Sequence, residues 1–154
     1  MATREGTRAT IWASSVAELR EDAAHLVRAH LVETCPGSNG VDWAAYAAME
    51  ETGSLSCFAA KVDGLTVGYA VLTVMPDWND MGRMKGDVVA WYVDPEWRGV
   101  GIGGRLCRRC EAVATSRGCS RCAMWVPVKP DRAWGCSEHM GFDVDFVRLS
   151  KDVA

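Results

Sequence analysis

Arg98-Gly99-Val100-Gly101-Ile102-Gly103-Gly104 is the stretch whose residue types and spacing point most directly to chemistry. Glycine has no Cβ, so backbone N–H groups can crowd around an anion. A helical pattern follows at once and runs to Arg117, with Gly118 as its stop. A helix start adds unpaired donors and a partial positive charge, and Arg98 adds a full one. The stretch is suited to a phosphate or pyrophosphate. A Walker P-loop is excluded, because Gly104 is followed by Arg105-Leu106 and not by Lys-Ser or Lys-Thr. Gly99-x-Gly101-x-x-Gly104 satisfies the dinucleotide pattern but falls late in the chain. No Asp or Glu lies between Ala112 and Pro130 to hold a ribose.

Seven cysteines include two Cys-x-x-Cys pairs, Cys107/Cys110 and Cys119/Cys122. Such pairs can form a zinc site. Here the first pair lies one turn apart on a predicted helix and the second at the following turn and strand. Core filling by reduced thiols is the preferred reading, with no metal site. His25 and His30 fall on the first predicted helix and are read as solvated or core-edge residues. Glu50 and Glu51 are read as solvated, with binding of a cationic substrate as the alternative.

These residues need elements to position them. Val88 to Val93 is a short apolar run rich in β-branched and aromatic residues, hence a buried strand. Asp94-Pro95 stops it. Strand, glycine turn and helix therefore follow one another directly. Upstream, residues 9–13 read as a strand. Ser15 with Glu18 reads as a capping box opening a helix that presents Leu19, Ala23, Leu26, Val27 and Leu31 on one face. Asp42 caps a helix from Trp43 to Thr52. Strands over 55–62 and 65–74 are joined by Asp63-Gly64, a hairpin signal, and Gly68 marks a bulge. The loop 75–85 carries Trp78, Met81 and Met84 and is expected either to fold over a ligand or to be pinned down by its Trp. A strand over 121–126, a helix over 131–140 and a strand over 142–149 close the chain.

A length of 154 residues suits one domain (9–154) behind a flexible leader (1–8). The net charge of −3 counts against a broad nucleic-acid face. No apolar run approaches the ~20 residues of a membrane span, and the N-terminus lacks a signal peptide's apolar region, so a cytoplasmic location is expected.

Arg98-x-x-Gly101-x-Gly103 behind a strand ending in Val93-Asp94-Pro95 resembles the acyl-CoA-binding motif of the GCN5-related N-acetyltransferase (GNAT) superfamily. Ala133 and Met140-Gly141-Phe142 match that family's C-terminal wording. The order β-α-α-β-β-β-α-β-α-β covers nearly the whole chain. The resemblance implies an α/β (α+β) fold whose mixed, mostly antiparallel sheet of six to seven strands is flanked by about four helices. It also implies an acetyl-CoA-dependent N-acetyltransferase acting on a primary amine of a small molecule or protein. The cofactor would be acetyl-CoA or another acyl-CoA.

By resemblance, backbone groups of Trp91, Tyr92 and Val93 hold the pantetheine arm and thioester. Amides of Arg98, Gly99, Val100, Gly101, Ile102, Gly103 and Gly104 hold the pyrophosphate. Asp87 occupies an early central-strand position where several members carry a glutamate acting as base, and strict alternation would put it on the face of Trp91. Its other reading is a strand-end turn residue. The family's tyrosine acid corresponds to Ser137 and its asparagine to Pro130. A serine hydroxyl is a far weaker acid than a phenol. Tyr92, water or solvent are the substitutes, and His139 is expected to point outward. Two alternatives stay open, a GNAT-fold transferase modifying nucleic acid and a non-catalytic acyl-CoA-binding module. A homodimer is compatible with either.

Overall fold

Two apolar strands joined by Asp63-Gly64 form the centre of the sheet in the computed structural model, which describes residues 8–126, 132–145 and 151. Asp63 and Gly64 have φ of 48° and 83°, both in the left-handed region. A two-residue hairpin turn requires that backbone, and this dipeptide tolerates it. The strands are β1 (Thr10–Ser14), β2 (Leu55–Val62), β3 (Leu65–Pro76), β4 (Met84–Val93) and β5 (Cys119–Met124). They lie in sequence order, antiparallel except for the parallel β4–β5 pair. The helices are α1 (Val16–Asp22), α2 (Ala24–Thr34), α3 (Trp43–Glu51), α4 (Ile102–Ser116) and α5 (Arg132–His139).

Each face of the sheet buries its own apolar set. On one, Ala70, Leu72 and Val88 pack against Ile102, Leu106, Cys110 and Ala114 of α4. On the other, Cys57, Tyr69, Val71 and Tyr92 pack against Val16, Leu19, Leu26 and Val27 of α1 and α2. The α4 contributors recur at helical spacing, so one stripe of this helix is covered.

Local signals were met at several ends. Ser15 and Glu18 form the capping box of α1, and Asp42 accepts from the N–H of Ala45 at 3.0 Å. Two bulges interrupt the ladders. Val67, beside Gly68, is unpaired opposite Ala60/Lys61, and Val89 is unpaired opposite Val71/Leu72.

Three expectations change. The single helix expected to open at Ser15 and to carry Leu19 to Leu31 on one face is two, broken at Ala23 (φ −113°, ψ 13°). Ala23 is fully buried, with α1 lying on β2 and β3 and α2 reaching β4. The break lets both segments follow a twisted sheet. The loop expected over 75–85 is shorter, because β3 and β4 pair out to Pro76 and Met84. Five strands are present among the described residues where six to seven were expected. Residues 142–145 form no strand, and 146–149, the rest of the sixth, lie outside the described residues.

Candidate active site

The chain leaves β4 at Val93 and makes a 3-10 turn, Pro95–Trp97, whose start is fixed by the Asp94 carboxylate accepting from the N–H of Glu96 at 2.9 Å. Arg98 is extended. Gly99 (φ 86°) and Gly101 (φ 82°) are left-handed, a conformation that a Cβ disfavours. Gly101 is the N-cap of α4, and no side chain caps that helix. The first-turn N–H groups of α4 are thus left to another acceptor. Nothing stands within 4 Å of where a Cβ on Gly101 would be. Space and donors together fit a phosphate group.

β5 covers only part of β4. Their parallel pairing runs from Met84 to Val88, and the last bond is Trp125 N–H to Val88 O at 3.2 Å. Among the described residues no strand pairs with that edge from Val89 to Val93. The backbone of Trp91, Tyr92 and Val93 therefore lies beyond the β5 pairing, on the stretch of strand that leads to the glycine turn. The indole of Trp91 donates to the Gly103 carbonyl at 3.0 Å. A Cβ on Gly103 would lie 2.9 Å from Trp91 Cζ2. Close packing against Trp91 thus already requires glycine at 103.

Arg98 does not reach over the glycine turn. Its Nε donates to the Val93 carbonyl at 2.8 Å, and its Nη2 lies 3.1 Å from both Glu33 oxygens. The guanidinium sits 5.0 Å from the Tyr92 ring centroid. Tyr92 donates its hydroxyl to Glu33 at 2.8 Å. Burial, reinforced by that bond and by the carboxylate charge, pushes the Tyr92 phenol up to about 12. His30 stacks on Tyr92 at 5.0 Å and shares a 2.7 Å hydrogen bond with Tyr69. Burial lowers the His30 pKa, Glu33 opposing and Arg98 assisting. Glu33, His30 and Tyr69 were missed from the sequence as members of this cluster.

The Val89 bulge changes where Asp87 points. Gly86 and Val88 face α4, as does Trp91, whereas Val89, Ala90 and Tyr92 face the α1–α3 side. Asp87, paired with Thr73, falls on that second side. Strict alternation put Asp87 and Trp91 on one face, and the extra residue overturns it. The Asp87 carboxylate is half-buried and 3.2 Å from Lys85 Nζ. Ser137 is buried and its hydroxyl donates to the Trp134 carbonyl at 2.8 Å. His139 and His25 are exposed, as is Glu51. Glu50 accepts from the N–H of Val16 at 2.9 Å, an N-terminal cap for α1 supplied by α3.

Cys107 and Cys110 are fully buried in the α4 layer, with Cys119 and Cys122 packed against it. Burial pushes the Cys107 thiol up to about 12 and that of Cys122 to about 11. Among the described residues no three His, Cys, Asp or Glu are grouped to hold a metal. Nor is any helix there long and apolar enough to cross a membrane.

Residues 17–142 match the acetyltransferase (GNAT) family. A glucosamine 6-phosphate N-acetyltransferase of Trypanosoma brucei brucei is 33% identical over 107 residues, covering 68% of this chain and 72% of that protein. An aminoglycoside N(6')-acetyltransferase type 1 of Stenotrophomonas maltophilia is 30% identical over 91 residues, covering 55% and 57%. The crystal structure of an acetyltransferase from Trypanosoma brucei superposes with a TM-score of 0.72 at 25% identity, covering 95% of this chain and 100% of that one. The chain belongs to the acetyltransferase (GNAT) family and is an acyltransferase of the kind that transfers acetyl groups to amines.

Proposed function

We propose that this protein transfers the acetyl group of acetyl-CoA to a primary amine of a small molecule or protein. The observation that carries this is the uncapped, glycine-entered N-terminus of α4 at the end of the open β4 edge. Phosphates would rest on amides of residues 98–104. The pantetheine arm would follow the backbone of Trp91, Tyr92 and Val93. Trp91, fixed to Gly103, holds strand and turn in register.

Bound acetyl-CoA supplies an activated acetyl group; the amine loses one proton as the amide forms, and the departing sulfur gains one. In this reading Asp87 takes the amine proton, directly or through water. Its place on the α1–α3 face puts the acceptor on that side of the sheet. Tyr92 keeps its proton, because its hydroxyl donates a hydrogen bond to Glu33 and the phenol is raised to about 12. The Ser137 hydroxyl is engaged within its own helix. Solvent is left as the proton source for the leaving sulfur.

Relatives named for glucosamine 6-phosphate and aminoglycosides put amine-bearing sugars at the head of an acceptor panel, with peptides beside them. Thiol release from acetyl-CoA is the readout. Turnover with at least one amine is expected. A protein that binds neither CoA nor acetyl-CoA by calorimetry would remove the reading.

A further inference from the structure

Val93 and Arg98 are the two ends of the connector between β4 and the glycine turn. The Arg98 guanidinium closes that connector by donating to the Val93 carbonyl. A guanidinium on a three-carbon stem could turn elsewhere, since it makes only one bond to its own segment. What holds it is Glu33, in the last turn of α2 and 65 residues away, with both carboxylate oxygens 3.1 Å from Nη2. The same carboxylate takes the Tyr92 hydroxyl, and the Tyr92 ring lies beside the guanidinium. Arg98 is thereby fixed by three separate partners on two elements besides its own. The backbone of Arg98 is where the left-handed turn of Gly99 to Gly101 begins.

We infer that Glu33 is a positioning residue for acyl-CoA, acting through Arg98 to hold the entry of the glycine turn in its binding conformation. This rests on the reading that the turn holds the CoA phosphates. A half-exposed ion pair adds little to global stability, because water and salt screen it. Geometry is where its effect lies: a shift in the turn's entry displaces every amide that follows, and displaced donors bind weakly. Cofactor affinity should fall more than stability does. Glu33 touches no reacting atom in this scheme.

The test is calorimetric binding of CoA to wild type, Glu33→Gln, Glu33→Ala, Arg98→Ala and the double variant Glu33→Ala/Arg98→Ala, with melting temperatures recorded alongside. Glu33→Ala should weaken CoA binding roughly tenfold, the scale of one charged hydrogen-bonded contact. Its melting temperature should stay within about 3 °C of wild type. Glu33→Gln keeps the shape and loses the charge, so it should fall between. Because Glu33 acts through Arg98, the double variant should bind within about twofold of Arg98→Ala alone, a coupling that independent sites do not show. Wild-type affinity in Glu33→Ala and Glu33→Gln, or losses that simply add in the double variant, would overturn the inference while leaving the turn as the CoA site. A wild-type protein that binds no CoA would overturn the parent reading as well.

Discussion

The two ends of β4 are built on opposite terms. At the C-terminal end, the connector to α4 is tied down by Asp94, by Arg98 with its partners in β4 and α2, and by the Trp91 indole on Gly103. At the N-terminal end, the 77–83 turn is held mainly by its own groups: Asp77 N–H to Arg83 O at 2.8 Å and Asn79 N–H to the Asp77 carboxylate at 3.0 Å. There Trp78 is 88% exposed and Met81 99%. This turn neither folds over the site nor is pinned by its Trp, which answers both expectations for it. An uncapped helix start leaves backbone donors unpaired, and such a feature persists where surrounding contacts hold it. Such contacts crowd one end of β4, which is the end proposed to hold the cofactor. Asp87 lies towards the other end, roughly 13 Å along the strand from Tyr92, so the proposed proton transfer and the proposed phosphate binding would be separated.

The largest expected effect tests that separation. Asp87→Asn should lower turnover on the order of 10²-fold, the low end for general base catalysis. The deficit should narrow at high pH, where the amine is free without help. CoA affinity should stay within about twofold of wild type. A variant that loses CoA binding while keeping turnover would break the division of β4. One that keeps both would leave deprotonation to solvent.

Gly103→Ala comes next and sharpens the glycine-turn end. Its methyl would meet the Trp91 ring at 2.9 Å. Overpacking of this kind costs about 1–3 kcal/mol, or roughly 3–8 °C in melting temperature for a chain of this size. CoA affinity should fall about tenfold or more as strand and turn lose register. Replacing Trp91 by Leu in the Gly103→Ala background should recover part of the lost melting temperature. No recovery would mean that the methyl obstructs only the ligand. Gly101→Ala meets no atom but strains a left-handed φ of 82°, at about 1–2 kcal/mol.

Ligand stabilisation tests the comparison from the other side. CoA at a hundredfold over its Kd should add about 2.7 kcal/mol, raising the melting temperature by roughly 5–10 °C. NAD and ATP should shift it much less. Trp78→Ser, at the exposed turn, should leave the CoA shift unchanged within about 1 °C. A lost shift in Trp78→Ser would put the 77–83 turn in the binding site after all.

What the sequence showed of all this follows the range of each signal. The glycine turn, the caps at Ser15 and Asp42 and the Asp63-Gly64 hairpin depend on neighbours within a few positions, so residue type alone discloses them. The Val89 bulge left no such mark, because an extra valine in a run of apolar residues looks like any other. Its consequence, Asp87 on the face opposite Trp91, was invisible for the same reason. Glu33 to Arg98 and Glu50 to Val16 join residues far apart in the chain, and charge patterning on one helix cannot choose between a solvated carboxylate and a clamp. The break at Ala23 is set by the sheet beneath it and not by any helix-stopping residue.

The smallest predicted effect concerns His30 within the cluster at the end of β4. Burial lowers its pKa from the usual 6.5, despite the Glu33 charge. The unfolded chain therefore holds the proton more tightly than the native one. By linkage, its contribution to stability is complete above about pH 6.5 and is lost as pH falls towards the depressed native value. The ring stacks on Tyr92 and bonds Tyr69, so protonation in place also sets a cation beside Arg98. Between pH 7.5 and 5, the melting temperature of wild type should fall further than that of His30→Gln. Parallel melting curves across that range would show that the imidazole titrates alike in both states.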